Sequence, residues 1–255
     1  MRNRIDLDAL PYALGAILLG MVTLAVHDFA LQWQPVPQWV PTRSALSIVS
    51  AAILIVGGLV AMRRNAGWAR LTLPGFYALW VLALHVPALI GQPNVGTLLG
   101  VAEILSLAAA GAALAPASAL RWVRPTARIL YGLCPLVFGL SHIVYADFTS
   151  TMVPAWLPAR LFLAYFTGAA HIAAGLAILS GLFARIAARM LALMCASFVL
   201  LIHIPGVIGA PADRMQWTML AVALSITGGA WLARRLLPGG KISEPAGVGT
   251  KPVFA

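Results

Sequence analysis

Residues 43–62 read RSALSIVSAAILIVGGLVAM, a run in which Arg43 carries the only charge. An apolar helix of about 20 residues is long enough to cross the hydrocarbon core of a bilayer. Similar blocks fill most of the chain. Together with residues 43–62, the apolar blocks are 8–31, 71–91, 95–117, 127–146, 160–181, 189–208 and 215–233. The pattern predicts an all-α, polytopic membrane protein with eight transmembrane helices.

The composition excludes a soluble domain. Of the 255 residues, 61% are apolar and only 9% are charged, and the mean hydropathy is +0.92. A soluble domain carries about 25% charged residues because its surface has to be hydrated. Eight spans and their connections, at roughly 30 residues each, use almost the whole chain. The lipid bilayer is therefore the expected partner, and no soluble domain is expected beside the spans.

The charged residues predict an orientation. The chain has 17 basic residues and a net charge of +10, and only Arg43, Arg160 and Arg214 lie in the loops that alternate with the more basic ones. By the positive-inside rule, both termini are expected on the cytoplasmic side of a cell (inner) membrane. Because the basic residues are spread between apolar blocks, no nucleic-acid partner is expected. The first block lacks a small-residue cleavage site, so we interpret it as a retained helix.

Four motifs recur in the same order at an offset of 117 to 119 residues. The pairs are Asp28-Phe29 and Asp147-Phe148, Val36–Pro41 and Val153–Pro158, His85–Pro93 and His203–Pro211, and Gly111–Ala115 and Gly229–Ala233. Ordered repetition at one offset indicates duplication of a four-helix unit. Since four spans return the chain to the same side, we predict parallel repeats at residues 1–120 and 121–236. Residues 237–255, rich in Gly and Pro, are expected to form a disordered cytoplasmic tail.

The second half carries small-residue motifs in a characteristic order. They are Gly139–His142, Val153–Pro158, Ala164–Ala170 and Ala173–Gly175, followed by Arg185. In these motifs, over about residues 128 to 208, the chain resembles the DoxX/DoxD-like integral membrane proteins. The resemblance implies four-helix membrane units, of which this chain would contain two. It also suggests redox chemistry, because the namesakes of the family are associated with thiosulfate:quinone oxidoreductase.

Ionisable side chains inside apolar blocks cost free energy in hydrocarbon, so they mark candidate sites. The helical rise places His142, His171 and His203 within about 10 Å of one another in depth, in the outer half of the second unit. We predict that these three histidines form a catalytic group. The residues predicted to complete a cofactor-binding site around them are Tyr165, Trp156, Asp147, His85 and Glu103.

Structural roles compete with this prediction. A histidine in a membrane helix often bonds a neighbouring helix, and His85 and His203 each precede a proline that frees a carbonyl group. Trp156 is of the type that anchors a helix at the membrane interface. The first half has Thr23 and Leu54 at the positions of His142 and His171, which favours the second half as the functional one.

Two functions fit these observations. The chain is either a quinone-linked redox subunit, in which the histidines bind a quinone and carry its proton, or a non-enzymatic transporter or membrane scaffold. The sequence does not identify a cofactor, and a quinone is one candidate. A b-type haem is less favoured, because no helix carries two histidines at helical spacing, and no metal site is predicted. The sequence does not identify the electron donor. It also leaves open whether the chain has a partner redox subunit and whether it forms a homo-oligomer.

Overall fold

The computed structural model describes residues 5–237, so the predicted tail lies outside the described residues except for Leu237. Within this range, the only β-pairing is an isolated bridge between Ile5 and Arg63. Seven helices in the described range are long and apolar enough to cross a membrane. They are α1 (Leu7–Val26), α2 (Arg43–Ala61), α3 (Arg64–Gly91), α4 (Val95–Leu114), α5 (Ala117–Val144), α6 (Arg160–Ser180) and α7 (Ala184–Gly209). The prediction of an all-helical membrane protein is confirmed.

The eighth predicted span corresponds to a helix that is long but less apolar. This helix, α8 (Arg214–Ala233), has 20 residues and is not among the seven. It packs against α1, α4 and α7. Polar positions such as Thr218 and Ser225 are buried against these neighbours and do not meet lipid. A helix covered by protein does not need a fully apolar surface, so α8 can cross a membrane although it is less apolar. That α8 forms an eighth span stays a prediction.

The long helices follow one another around the bundle. Each packs against the next in chain order, from α1 to α8, and α8 packs back on α1. In addition, α4 contacts α8 across the centre. Exchanging α1–α4 with α5–α8 leaves this set of principal contacts unchanged. The first four helices and the last four therefore have equivalent neighbours.

A widened π turn interrupts both α3 and α7. These turns span Val81–His85 and Val199–His203, so each ends on a histidine. Two residues later come Pro87 and Pro205, which lack the N–H that would continue the α-helical bonding. A π turn accommodates such an interruption without ending the helix. The two turns place His85 and His203 at matching points of their helices.

A buried aspartate closes the end of the bundle where α1 begins and α8 ends, which we call the basic end. Asp6 is only 1% exposed. Arg235 donates to both of its carboxylate oxygens, at 2.6 and 2.8 Å, and Arg70 donates to one of them. Arg70 also donates to the carbonyl oxygen of Ala61 at 3.0 and 3.1 Å. The Asp6 carboxylate thus links the segment before α1 to α3 and to the residues after α8. Through Arg70 it is also linked to the end of α2.

A second aspartate ties the opposite end, which we call the proline end because the proline-rich loops 34–42 and 153–159 lie there. The carboxylate of Asp28 accepts a hydrogen bond from Arg43 at 2.6 Å and lies 3.6 Å from Arg214. Arg214 also donates to the carbonyl oxygen of Phe29. Since Arg43 begins α2 and Arg214 begins α8, this group connects α8 to the residues that follow α1.

Replacing the carboxylate of Asp6 should destabilise the protein. In Asp6→Asn, the free energy of unfolding is expected to fall by about 3 kcal/mol, because removing one partner strands buried arginine charge. Burial opposes ionisation of Asp6, but hydrogen bonds and charge from Arg235 and Arg70 lower its pKa from 3.8 to about 2. A lowered pKa stabilises the fold above the unfolded pKa, and this contribution disappears as the pH falls through about 2.

Unfolding of the purified protein by heat and denaturant, followed by circular dichroism between pH 7 and pH 2, measures this effect. The matched control is Asp213→Asn at the exposed start of α8, where Asp213 accepts from the N–H of Met215. Asparagine caps a helix as well as aspartate does, so the control should unfold like the parent protein. Equal stability of Asp6→Asn and the parent at neutral pH would contradict the assigned role.

Candidate functional site: a histidine pair where three helices meet

The structure brings two of the three predicted histidines into contact. The ring centroids of His142 on α5 and His171 on α6 are 5.1 Å apart, with the ring planes at 45°. His203 lies on the π turn of α7, and its Nδ1 is buried with no hydrogen-bond partner among the described residues. The contact pair, His142 with His171, is therefore the core of the candidate site.

The close crossing of α5 and α6 positions this pair. A Cβ added to Gly139 would overlap the carbonyl oxygen of Gly168. A Cβ added to Gly168 would lie 2.9 Å from the Cβ of His142. The two glycines thus let the helix backbones meet and leave room for His142 beside α6. The same kind of contact occurs between α1 and α2, where a Cβ on Gly20 would lie 2.9 Å from the carbonyl oxygen of Ala51.

Thr167 fixes the tautomers of both rings. Its hydroxyl donates to the carbonyl oxygen of Leu163 at 2.8 Å, so it accepts from Nδ1–H of His142 at 3.0 Å. Nδ1 of His171 lies 2.8 Å from the carbonyl oxygen of Thr167, which can only accept. In both neutral rings Nδ1 therefore carries the hydrogen, and Nε2 is left as a hydrogen-bond acceptor. The pair offers two acceptors to a ligand.

Two phenylalanine rings flank the histidines. Phe138, one turn before His142 on α5, meets His171 edge to face with ring centroids 5.7 Å apart. Phe198 on α7 stacks on His142 at 6.3 Å and also contacts His171 at 6.3 Å. His171 is only 3% exposed, whereas His142 is half-buried near the proline end of α5. The site is therefore aromatic and mostly buried, with one edge at the surface of the bundle.

The first half has no histidine at the corresponding positions. Leu54, which lies 117 residues before His171, is fully buried, and so is Thr23, which lies 119 residues before His142. Trp80 lies 118 residues before Phe198. No pair of imidazoles can form there, so the candidate chemistry belongs to the second half.

A cleft of about 280 Å³ lies between α2 and α3 in the first half. Gln34, Ser50 and Trp80 line it together with apolar side chains. The amide nitrogen of Gln34 donates to the hydroxyl of Ser50 at 2.9 Å. Ser50 lies 117 residues before Thr167, so the two halves place a hydroxyl at matching positions and give it different partners.

Three of the predicted cofactor-binding residues lie on the outside of the bundle. Tyr165 is 46% exposed and Trp156 is 70% exposed. Asp147, on the short helix Ala146–Met152 that joins α5 to α6, is also exposed. The exposed ring of Trp156 near a helix end is typical of an interfacial anchor. These three residues do not share the burial of the histidine pair.

The other two predicted residues lie in the first half, grouped around Trp33. Nε2 of His85 is 3.0 Å from the carbonyl oxygen of Trp33, and the indole of Trp33 lies beside the carboxyl group of Glu103. Reasoning from the sequence missed Trp33, Phe138 and Phe198. A signal existed only for Phe138, because it lies four residues before His142 on the same helical face.

Among residues 5–237, no three His, Cys, Asp or Glu side chains lie close enough together to hold a metal ion. Cys134 and Cys195 are free and buried. The candidate site thus consists of two histidines, one threonine and two phenylalanines.

Residues 125–204 match the DoxX family model. The chain carries a DoxX domain. This domain contains all three predicted histidines and the whole of α6, and it confirms the resemblance found over residues 128–208. No curated protein and no solved structure matches the chain. The DoxX domain supports the assignment of the chain as a membrane protein.

A methyl group at the α5–α6 crossing should disturb the DoxX domain. Gly139→Ala is expected to lower the free energy of unfolding by about 1–3 kcal/mol, because the added Cβ overlaps the backbone of α6 and the helices must separate. Thermal unfolding in detergent measures this loss. Gly75→Ala is the matched control, since a Cβ there meets nothing within 4 Å. If Gly139→Ala unfolds at the same temperature as Gly75→Ala, the close crossing is not required.

Proposed function

We propose that this DoxX-domain protein is a quinone-linked redox component of the membrane, and that the His142–His171 pair binds the hydroxyl groups of a quinol. The observation that carries the proposal is the pair of Nε2 acceptors, which Thr167 leaves free on two neutral rings. A quinol hydroxyl is a donor, so it complements an acceptor. Oxidation of a quinol releases its hydroxyl protons, and an Nε2 that accepts a hydrogen bond from the hydroxyl is positioned to receive one.

The surroundings of the pair fit such a ligand. Phe138 and Phe198 give the flat ring of a quinol apolar surface to pack against. The half-exposed edge of His142 lies within the membrane-spanning part of α5, where a lipid-soluble molecule arrives from the bilayer. A quinone carbonyl needs a donor, so the neutral pair should favour the reduced form over the oxidised form.

The chain supplies proton acceptors, and a bound quinol would supply two electrons and two protons on oxidation. A partner redox subunit would take the electrons. The rings of His142 and His171 contact each other directly, so a porphyrin does not fit between them. This contact favours quinol over haem for the pair.

The packing at the centre of the bundle favours the redox role over a transporter. A transport path along an axis between the two units would run between α4 and α8. At that point a Cβ on Gly229 of α8 would lie 3.4 Å from the Cβ of Ala110 of α4. At this level α4 and α8 are in contact, so a path between them would be closed there.

We also infer that residues 1–120 and 121–236 are parallel repeats with eight spans, and that the basic end faces the cytoplasm. The equivalent neighbours of α1–α4 and α5–α8 support the repeat. So do the π turns that end on His85 and His203, 118 residues apart. The excess of arginine at the basic end supports the orientation.

Binding of a short-chain ubiquinol to the purified protein, measured by isothermal titration calorimetry under anaerobic conditions, tests the redox proposal. His171→Leu introduces the residue that the first half has at Leu54, and it should weaken binding at least tenfold because one acceptor is lost. The matched control is His27→Asn, at the exposed end of α1. Ubiquinol binding by a folded His171→Leu variant at the parent affinity would refute the site.

Labelling with a membrane-impermeant maleimide in intact cells tests the orientation. A cysteine replacing the exposed Gln38 at the proline end should react, whereas one replacing the exposed Ser180 at the basic end should not. The native Cys134 and Cys195 are buried, so background labelling should be low. The reverse pattern would place the basic end outside.

A further inference from the structure

The larger of the two described clefts lies at the basic end, between α1, α7 and α8, and has a volume of about 440 Å³. Pro11 of α1 and Ala192 and Ala196 of α7 are among its apolar lining residues. Asp8 and Trp231 also line it. The cleft is apolar along its length and borders charged groups at the basic end.

One face of α7 continues the cleft to that end. Arg185, Arg189, Ala192 and Ala196 follow at intervals of four, three and four residues, which places them on the same side of the helix. The rise of a helix puts Ala196 about 10 Å deeper than Arg189. Two arginines thus stand at the mouth of the cleft, and two small residues line its interior.

The mouth has more arginine than carboxylate. The guanidinium of Arg234 stacks over Trp231, 3.4 Å from the ring centroid. Burial and the nearby charges of Arg189 and Arg185 lower the pKa of Arg234, although Asp8 partly offsets them. Asp8 already pairs with Arg234 at 3.5 Å and with Arg235 at 2.8 Å.

No described carboxylate forms an ion pair with Arg185 or Arg189, judging from all the ion pairs among residues 5–237. Nε of Arg185 is buried and has no hydrogen-bond partner in the same part of the chain. A buried guanidinium nitrogen normally has an acceptor, because leaving it without one costs free energy. Arg185 and Arg189 thus carry positive charge that no carboxylate among residues 5–237 neutralises, and an external anion could pair with it.

We propose that this cleft binds an anionic phospholipid. Its phosphate would be held by Arg185, Arg189 and Arg234, and one acyl chain would lie along Pro11, Ala192 and Ala196. Guanidinium groups match phosphate oxygens in geometry and charge. A phospholipid also explains why the charged mouth continues into an apolar cleft, which a free phosphate would not fill. This site is independent of the histidine pair.

Thermal unfolding in neutral detergent, with added dioleoylphosphatidylglycerol, dioleoylphosphatidylcholine or inorganic phosphate, tests the proposal. Phosphatidylglycerol should raise the unfolding temperature saturably, and native mass spectrometry should show one bound molecule. The double variant Arg185→Gln and Arg189→Gln should weaken this binding at least tenfold. Ala196→Phe, which fills the apolar part and keeps every charge, should weaken it as well.

The charge-matched control replaces Arg63 and Arg121 by glutamine, since both are exposed near the basic end and neither lines the cleft. It should bind phosphatidylglycerol like the parent protein. Equal losses in the control and in the Arg185 and Arg189 variant would show non-specific charge attraction and overturn the proposal. Stabilisation by inorganic phosphate to the same extent, with no effect of Ala196→Phe, would overturn it too, because the site would then bind only the anion.

Discussion

The close crossing of α5 and α6 at Gly139 and Gly168 is the contact on which the histidine site depends. Helices in a bilayer gain little by leaving lipid for each other, so they associate through close packing of small residues. Because neither position has a side chain, the backbones meet and His142 lies directly against α6. Its ring then reaches Thr167 and His171. The geometry of the site is therefore a consequence of how the helices pack. One added methyl group at the crossing should disturb both the packing of α5 on α6 and the position of the histidine rings.

The two halves use the same crossing for different purposes. Between α1 and α2 the crossing at Gly20 leads to a fully buried Leu54, whereas between α5 and α6 the matching position is His171. A buried imidazole destabilises a fold unless it is hydrogen-bonded. Thr167 meets that need with two separate oxygens, its hydroxyl and its carbonyl. Because the two halves have equivalent neighbours, one half can keep leucine at this position while the other carries a hydrogen-bonded histidine.

The sequence predicted the lengths of most helices well, because the thickness of the hydrocarbon core fixes them. Seven of the eight predicted spans are long and apolar enough to cross a membrane, and of the three histidines predicted to converge, His142 and His171 are in contact. Depth did not show that Tyr165 is exposed, since the rise per residue says nothing about the direction in which a side chain points. For His203 the π turn changes the angular register of α7, which periodicity alone does not reveal. The polarity of α8 escaped prediction because it depends on which neighbours cover the helix.

The contact between α1 and α8 closes the bundle, and charge holds it at both ends. Asp28 reaches Arg214 at the proline end, and Asp6 reaches Arg235 at the basic end. These contacts matter most for α8, which is less apolar than the other long helices and so is held in place by its protein neighbours. At the basic end the arginines exceed the carboxylates that can neutralise them, and the excess borders a cleft between α1 and α7. A lipid phosphate in that position would supply the missing negative charge and join the first helix to the last two, so the stability of the bundle would depend on the membrane around it.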